Sequence, residues 1–255
     1  MSAIEVIPST TRVRGVGLMA VAAGFYLVLR MTGFHELFEK DAEGVGALLQ
    51  IIGTLYSVVY AFATYVIWGQ FAGVENEILK ESGALKDLLL FSKGLKEPTR
   101  DPIVRAVRGY ARGVVESEWG ALSNCEGTDR TDKLFAGIIS SVTEVKPADE
   151  SERTIEERLL EIANQASSHR DERLALSVKR IPRTLLLFVT LTALMILFLL
   201  FFYPFHNMAL GMVSVAITTM LLFLANFVLT DLDNPFEGTW NVNNRAFDDL
   251  ATKYR

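Results

Sequence analysis

Long apolar runs, nearly free of charge, are separated along the chain by segments of mixed polarity. Four runs reach the length of about 20 residues that a helix needs to cross a hydrocarbon core roughly 30 Å thick. They cover residues 16–34, 44–71, 183–203 and 208–230. Apolar and polar residues do not alternate in them as in the strands of a membrane barrel. The pattern therefore predicts an all-α membrane protein with four transmembrane helices.

The start of the first run also allows a second interpretation, a cleavable signal peptide. Residues 20–22 (Ala-Val-Ala) resemble a small-residue cleavage site behind Arg12 and Arg14. Too few apolar residues precede this site, and the apolar run continues beyond it to Leu29. We therefore expect an uncleaved helix.

Lysine and arginine are unevenly distributed between the two ends of the runs. The loop before the second run holds Lys40 among four acidic residues, and residues 204–207 contain no lysine or arginine. The opposite ends carry Arg12, Arg14, Lys179, Arg180, Arg183, Arg245, Lys253 and Arg255. Because basic residues resist translocation, both termini are predicted to be cytoplasmic.

This topology divides the chain into five parts. Residues 1–15 form a cytoplasmic N-terminus, 16–72 the first two helices with a short outer loop, and 73–182 a cytoplasmic helical domain. Residues 183–230 form the last two helices and 231–255 a cytoplasmic tail. Within the domain, the second helix is expected to continue unbroken from Val74 to Lys93, and Pro102 to lie in a helix first turn. Further helices are expected at residues 131–145 and 149–181, with a kink at Pro182.

The second run carries an ordered polar face. Its members recur at alternating steps of four and three, which places them on one side of a helix. They are Gln50, Thr54, Ser57, Ala61, Thr64 and Trp68. Small and hydroxylated residues have two uses in a membrane, close helix packing and the lining of a water-filled path. The sequence leaves both open.

The same alternating spacing of four and three residues continues after the second apolar run. It includes Phe71, Glu75, Ile78, Ser82, Leu85 and Leu89. A long helix with one face along a path is therefore expected, with Glu75 at its inner mouth. One chain of four helices can hardly enclose a channel, whereas copies around a cyclic axis would form a ring of Glu75 carboxylates. Such a ring favours cations. The alternative for Glu75 is a solvated surface charge.

Four features of the chain together resemble a bestrophin-like family of bacterial membrane proteins. They are Trp68, the helix through Glu75, the Glu118-Trp119 pair, and the run Leu-Asp-Asn-Pro-Phe-Glu-Gly at residues 232–238. The resemblance covers most of the chain. It implies a bacterial inner-membrane location and kinship with bestrophins, which are pentameric anion channels with a second helix lining the neck. It also implies a post-membrane motif made of Asp233, Asn234, Pro235, Phe236 and Gly238.

In bestrophins the post-membrane segment helps to form a calcium site. The matching oxygen ligands here are Asp231, Asp233 and Glu237, but the dense acidic run of bestrophins is absent. Calcium takes about six to eight oxygen ligands, so three carboxylates are few. The alternative is structural: Asn234-Pro235 ends the fourth helix, Phe236 anchors the tail, and Gly238 permits a turn. Calcium is the one cofactor that the sequence suggests.

Other residues exclude several classes of function. Cys125 is the single cysteine, so an intrachain disulfide and a thiolate zinc cluster are excluded. The net charge of −5 argues against a nucleic-acid partner. Phosphate-binding glycine loops and the common hydrolase motifs are absent, so we do not expect an enzyme.

Four ionisable side chains outside the polar face also require an interpretation. Arg30 is expected to snorkel to the outer interface, and His169 to lie on a solvated helix face. His35 and His206 fall in the two outer connections, which allows them to approach one another and to titrate near neutral pH.

The sequence thus favours a homo-oligomeric, bestrophin-like channel for small monovalent ions in the lipid bilayer, pentameric by analogy. Glu75 and the acidic outer loop favour cations, whereas the family analogy favours chloride. The competing hypothesis is a non-conducting membrane scaffold or sensor that acts through its cytoplasmic helices.

Overall fold

The computed structural model describes residues 8–33, 39–124 and 126–253, and within these ranges the regular structure is helical throughout. The helices are α1 (Ser9–Met31), α2 (Ala42–Phe91), α3 (Glu97–Gly113), α4 (Trp119–Ser123), α5 (Asp129–Thr143), α6 (Glu150–Ser177), α7 (Arg183–Phe202), α8 (Met208–Leu232) and α9 (Arg245–Thr252). A 3-10 turn follows α2 and a π-helical turn, Val114–Glu118, joins α3 to α4. Helices α1, α2, α7 and α8 are long and apolar enough to cross a membrane, in agreement with the four predicted spans.

The helices form two compact units. The membrane unit contains residues up to Trp68 together with Ile181–Asp233, and the bundle unit contains Gly69–Arg180 and the residues from Asn234 onward. Helix α2 contributes to both units because it is unbroken from Ala42 to Phe91. The predicted continuation of the second span is therefore confirmed.

Close packing of α1 against α8 organises the membrane unit. A Cβ atom added to Gly15 would lie 3.0 Å from the ring of Phe223, and one added to Gly211 would overlap the hydroxyl of Tyr26. Small residues at these positions let the two helices approach, as is common where lipid supplies no hydrophobic drive for association. Ala22 and Tyr26 of α1 and Val215 of α8 form a buried apolar cluster at this contact together with Leu200 of α7.

The bundle unit has a conventional apolar core. Helix α3 buries one side chain per turn, and α5, α6 and α9 close around that stripe. The largest fully buried apolar residues are Tyr110, Phe247, Ile78, Leu85, Leu88, Ile103, Leu122, Ile138 and Leu159. Asp149 caps α6 by accepting the backbone N–H of Glu152 at 2.8 Å, which contributes about 1 kcal/mol.

Two proline predictions were wrong. Pro182 does not kink a continuous helix, because α6 ends at Ser177 and Pro182 immediately precedes α7. Its ring fixes φ and removes a donor that the first turn of α7 does not need. Pro102 lies inside α3 rather than in its first turn, because the helix begins at Glu97 and Pro98 occupies the first turn.

The C-terminal segment is more ordered than a simple tail. Helix α9 buries Phe247 and Leu250 in the bundle unit, and Phe247 makes edge contacts with Tyr110 and Trp119. The sequence analysis missed this helix.

Candidate functional site

The polar residues of the second span lie on an exposed face of the membrane unit. Gln50, Thr54, Ser57, Ala61 and Trp68 are exposed, and Thr64 is half-buried. At 100° per residue these side chains occupy one narrow strip of α2. The strip therefore points away from the helices that pack within this unit.

The packed face of α2 lies on the other side of the helix. Tyr56, Ala63 and Ile67 are buried there, and the hydroxyl of Tyr60 donates to the carbonyl of Ala225 in α8 at 3.4 Å. The two faces are thus chemically distinct. The packed face holds α2 in the membrane unit, and the exposed face presents polar groups to the surroundings of that unit.

The hydroxyls of the polar face are bonded within their own helix. Thr54, Ser57 and Thr64 each donate to the carbonyl oxygen four residues earlier in α2, at 2.8 to 2.9 Å. None of the three bonds joins α2 to another helix of the chain. A hydroxyl that donates to its own backbone still presents oxygen lone pairs outward, where a cation or water can approach.

An apolar strip runs beside the polar one. Ile51, Val58 and Tyr65 are 64%, 63% and 78% exposed. Exposed apolar residues on a helix of this hydropathy are suited to lipid or to another subunit. The exposed side of α2 therefore has a polar half and an apolar half.

The predicted continuation of the polar face beyond the membrane is partly wrong. Glu75 is exposed, but the residues that followed it in the predicted face are buried in the core of the bundle unit. These are Ile78, Ser82, Leu85 and Leu89. Steps of four and three average 3.5 residues, so the pattern drifts by about 20° every seven residues on a straight helix. The face instead continues through Leu79 and Lys86, which are exposed.

A buried ionic cluster ties the bundle half of α2 to α6, and the sequence analysis missed it. Arg173 is fully buried, and its Nε donates to Glu81 Oε2 at 2.6 Å while its Nη2 donates to Glu118 Oε1 at 2.6 Å. Both carboxylates are also fully buried. Tyr110 donates its hydroxyl to Glu81 Oε1 at 2.5 Å. One guanidinium therefore joins α2, α6 and the π-helical turn.

A second arginine extends this cluster to α5. Arg170 donates to Glu118 at 3.4 Å and to Asp132 at 2.5 Å, and its guanidinium lies 5.5 Å from the centre of the Phe135 ring. Thr131 donates its hydroxyl to Glu118. Glu118 is thus the point at which α5 and α6 are bonded to the π-helical turn.

Burial and neighbouring charges shift the pKa values of Arg173 and Tyr110 in this cluster. Burial acts to lower the pKa of Arg173, but the negative charges of Glu81 and Glu118 outweigh it and raise that pKa. Burial, with the negative charge of Glu81, raises the pKa of Tyr110 well above its ordinary value. Arg173 stays charged and Tyr110 stays a hydrogen-bond donor, so the cluster is suited to structure rather than to proton transfer.

The prediction for His169 was also wrong. Its Nδ1 lies 2.8 Å from Glu77 Oε2, and Lys80 donates to the other oxygen of Glu77 at 2.7 Å. Burial acts to raise the pKa of Glu77, but these two hydrogen bonds outweigh it and lower that pKa. His169 is therefore a partner of α2 rather than a solvated surface residue.

The post-membrane motif has the structural role that the sequence offered as an alternative. Asp233 ends α8, and its side chain accepts the backbone N–H of Ile181 at 2.7 Å. Phe236 is buried against Trp119 with ring centres 5.2 Å apart. Gly238 adopts a φ of 95°, which favours glycine in the turn that follows.

The side chain of Asn234 adds two bonds to this anchor. It donates to the carbonyl of Ser123 at 2.9 Å and accepts from Arg180 at 3.2 Å. Pro235 is buried, and its carbonyl accepts the N–H of Val242 at 2.8 Å. The motif thus fixes the chain at its entry into the bundle unit.

The family model for the bestrophin-like domain matches residues 16–247. The chain belongs to the bestrophin-like family. No curated protein matches it.

Solved structures support the fold of this bestrophin-like chain. Two crystal structures of a bacterial bestrophin homologue from Klebsiella pneumoniae, each with one substitution, match with a TM-score of 0.72 and 11% identity. They cover 93% and 94% of this chain, which spans 98% and 100% of theirs. A variant described as a membrane protein matches with the same TM-score at 10% identity, over 94% of this chain and 99% of its own. At these identities the likeness concerns the fold alone.

The calcium prediction gains no support from the geometry. In the ranges that the structure describes, no three His, Cys, Asp or Glu side chains are grouped to hold a metal ion. Asp231 and Asp233 are half-buried and Glu237 is exposed. The chain therefore shares the post-membrane motif of the resemblance, but the described carboxylates of this segment are not grouped as a calcium site.

Arg30 is more firmly held than simple snorkelling requires. It lies in the last turn of α1, where its Nε donates to the Tyr26 hydroxyl at 3.1 Å and its Nη2 donates to the carbonyl of Phe205. Arg30, Glu39 and His206 line one cavity of about 440 Å³. His35 and Cys125 lie outside the described residues, so the predicted approach of His35 to His206 stays a prediction.

Proposed function

We propose that this bestrophin-like chain forms a cyclic homo-oligomeric channel for small monovalent ions, pentameric by analogy with bestrophins. Helix α2 lines the pore with Gln50, Thr54, Ser57, Ala61, Thr64, Trp68 and Glu75. The polar strip of one subunit is too narrow to surround a path, so several copies are needed around a common axis.

The observation that carries this proposal is the orientation of the polar strip. A helix in lipid normally turns its polar side chains toward protein or water, because lipid offers them no partners. The polar strip of α2 is exposed on its own unit, opposite the packed face of Tyr56, Ala63 and Ile67. A water-filled axis satisfies that strip, while the neighbouring apolar strip is left for lipid or an adjacent subunit.

The local charge favours cations. Glu75 is exposed on the side of α2 that carries Trp68, and repetition by symmetry produces a ring of carboxylates. At the other end of the helix, Glu43 is exposed in the first turn of α2. Carboxylates at both ends raise the local concentration of cations.

The proposed location is the bacterial inner membrane, with both termini and the bundle unit in the cytoplasm. The uneven distribution of lysine and arginine supports this orientation. Arg14 near the start of α1 and Arg183 at the start of α7 lie at the predicted cytoplasmic ends of their spans.

The test is current through planar bilayers that contain the purified protein. With KCl at different concentrations on the two sides, the proposal predicts a steady current whose reversal potential lies toward that of potassium. Glu75→Gln should move the reversal potential toward zero without abolishing current, because a neutral ring attracts cations less. Glu97→Gln, an exposed carboxylate on α3, is the matched control and should leave the reversal potential unchanged.

Two results contradict parts of the proposal. A reversal potential near that of chloride, unchanged by Glu75→Gln, contradicts the cation preference. It does not contradict the proposal that the protein is a channel. Bilayers that stay silent across a range of pH and calcium concentrations contradict the channel. That result supports the competing function, a non-conducting scaffold or sensor, in which the polar strip is a dry contact between subunits.

A further inference from the structure

The bundle unit contains a basic cavity that the ion pathway does not use. It has a volume of about 460 Å³ and is lined by residues at the end of α2, in the 3-10 turn that follows it, and on α3. Its lining includes four basic side chains, Lys93, Arg100, Arg105 and Arg108, and one acidic side chain, Asp101. The lining of the cavity is therefore positively charged, although the chain as a whole has a net charge of −5.

The spacing on α3 explains why these side chains converge. Arg100, Val104 and Arg108 follow one another at intervals of four residues, so they form a row along one face of the helix. Arg105 lies beside that row. The other face of α3 is buried through Ile103, Val107 and Tyr110, which holds the basic row outward.

Most of this positive charge has no internal partner. Lys93 and Arg105 are exposed and make no hydrogen bond or ion pair with the described part of the chain. The Nε atom of Arg108 is buried, and it has no hydrogen-bond partner among those residues. Arg100 differs, because it lies 3.2 Å from Glu97 and 3.8 Å from Asp101. The cavity therefore offers at least three uncompensated cationic groups.

The chemistry of the lining selects a class of ligand. Guanidinium groups bind phosphate oxygens through paired, charge-assisted hydrogen bonds. Leu89 and Val104 add an apolar wall on which the carbon skeleton of a ligand can pack. The volume lies in the range of about 300 to 1,000 Å³ that is usual for small-molecule sites. We propose that this cavity binds a small organic phosphate that carries two or more negative charges.

Isothermal titration calorimetry on the full-length protein in detergent tests the proposal with three probes. Adenosine diphosphate supplies phosphates and an organic group, pyrophosphate supplies the charge alone, and adenosine supplies the organic group alone. We expect saturable binding of adenosine diphosphate, weaker binding of pyrophosphate, and none of adenosine. The double variant Arg105→Gln with Arg108→Gln should weaken binding of adenosine diphosphate about tenfold or more.

Arg112→Gln is the matched control, because Arg112 is an exposed arginine on α3 that does not line the cavity. It should change the dissociation constant by less than about twofold, as expected for a remote surface charge. Lys93→Gln provides a milder second variant if the double variant does not fold. It should weaken binding of both phosphates and leave the melting temperature of the unliganded protein unchanged.

Three results overturn the proposal. The first is absence of binding by both phosphate probes, which is also expected if another subunit covers the cavity. The second is equal weakening by Arg112→Gln, which indicates general attraction of anions. The third is binding of adenosine as tight as that of its diphosphate. Calorimetry records no current, so these results are independent of the channel proposal.

Discussion

The two halves of α2 use polar residues in opposite ways. In the membrane unit, Thr54 and Ser57 lie on the exposed face and donate only to their own helix. In the bundle unit, Glu77 and Glu81 lie on the buried face and accept hydrogen bonds from His169 and Arg173 of α6. One continuous helix therefore has an exposed polar face whose hydroxyls bond within the helix, followed by a buried polar face that bonds to α6.

The difference separates residues that hold the fold from residues available for function. A buried charge is costly unless it is paired, so Glu81 is committed to its partner. An exposed hydroxyl that is bonded within its helix adds little to tertiary stability. Substitutions in the bundle half should therefore change stability, and substitutions in the membrane half should change conduction.

The largest expected effect comes from removing the shared partner of the two buried carboxylates. Arg173→Met leaves Glu81 and Glu118, both fully buried, without their main cation. We expect the free energy of unfolding to fall by about 3 to 5 kcal/mol. Denaturant unfolding in detergent, followed by tryptophan fluorescence, measures this loss.

Arg153→Met is the matched control for that variant. Arg153 is exposed, and its guanidinium lies 3.8 Å from Glu157 on the surface of α6. Its loss should be below about 1 kcal/mol. Equal losses in the free energy of unfolding for the two arginine variants would show that the buried cluster stabilises the bundle unit no more than a surface ion pair does.

A smaller effect is expected when one donor leaves the same cluster. Tyr110→Phe removes the hydroxyl that donates to Glu81 but keeps the ring in the core. The free energy of unfolding should fall by about 1 to 3 kcal/mol, since a buried acceptor loses one of its bonds. Tyr65→Phe in the exposed membrane half should change it by less than about 0.5 kcal/mol. The reverse order would contradict the difference between the two halves.

The pH dependence of stability tests the partners of Glu77. Its pKa is lowered in the folded protein because the hydrogen bonds from Lys80 and His169 outweigh the effect of burial. The ionised carboxylate therefore stabilises the fold above its unfolded pKa of 4.5, and this contribution is lost as the pH falls through the lower, folded value.

Glu77→Gln removes this titration. The melting temperature of the variant should fall less steeply with pH below about 4.5 than that of the parent protein, and the two curves should run parallel near neutral pH. Melting curves in a series of buffers measure both slopes. An unchanged acid slope would mean that Glu77 has the same pKa in the folded and unfolded states.

The smallest effect on stability is expected in the membrane half. Thr54→Val keeps the shape of an exposed side chain whose hydroxyl donates to the carbonyl of Gln50. The free energy of unfolding should change by less than about 0.5 kcal/mol. Single-channel conductance should nevertheless fall, because a methyl group replaces an oxygen along the proposed path. A large loss of stability with unchanged conductance would reverse the assignment of the two halves.

Local periodicity was sufficient to predict much of this fold. Uncharged length identified α1, α2, α7 and α8, and the absence of a breaker before Gly94 predicted the continuation of α2. The same periodicity misplaced the face of α2 below Trp68. A drift of about 20° every seven residues is negligible over one span but decisive over two.

The buried cluster depended on contacts that no local pattern contains. Glu81 and Arg173 are 92 residues apart in the chain. A signal was nevertheless present. Arg170 and Arg173 continue the apolar row of Leu159, Ile162 and Ala166 at helical spacing, as Glu81 does between Ile78 and Leu85. Charges at such positions indicate a buried ion pair.

Helix α9 was missed for a different reason. It is 8 residues long, and its apolar positions are few. Phe247 and Leu250 stand three residues apart, which is compatible with a helix but too short a pattern to indicate one. Its burial depends on the core formed by α3 and α5.

The central claim is that the polar strip of α2 faces water along an ion path. The most direct measurement replaces Ser57 or Val58 by cysteine in a Cys125→Ser background and applies a water-soluble, positively charged thiol reagent during bilayer recording. Both positions are exposed on the isolated unit, but they belong to the polar and apolar strips respectively. The account predicts that the reagent blocks current through Ser57→Cys channels and leaves Val58→Cys channels unaffected. Block at Val58 alone, or at neither position in conducting channels, would contradict it.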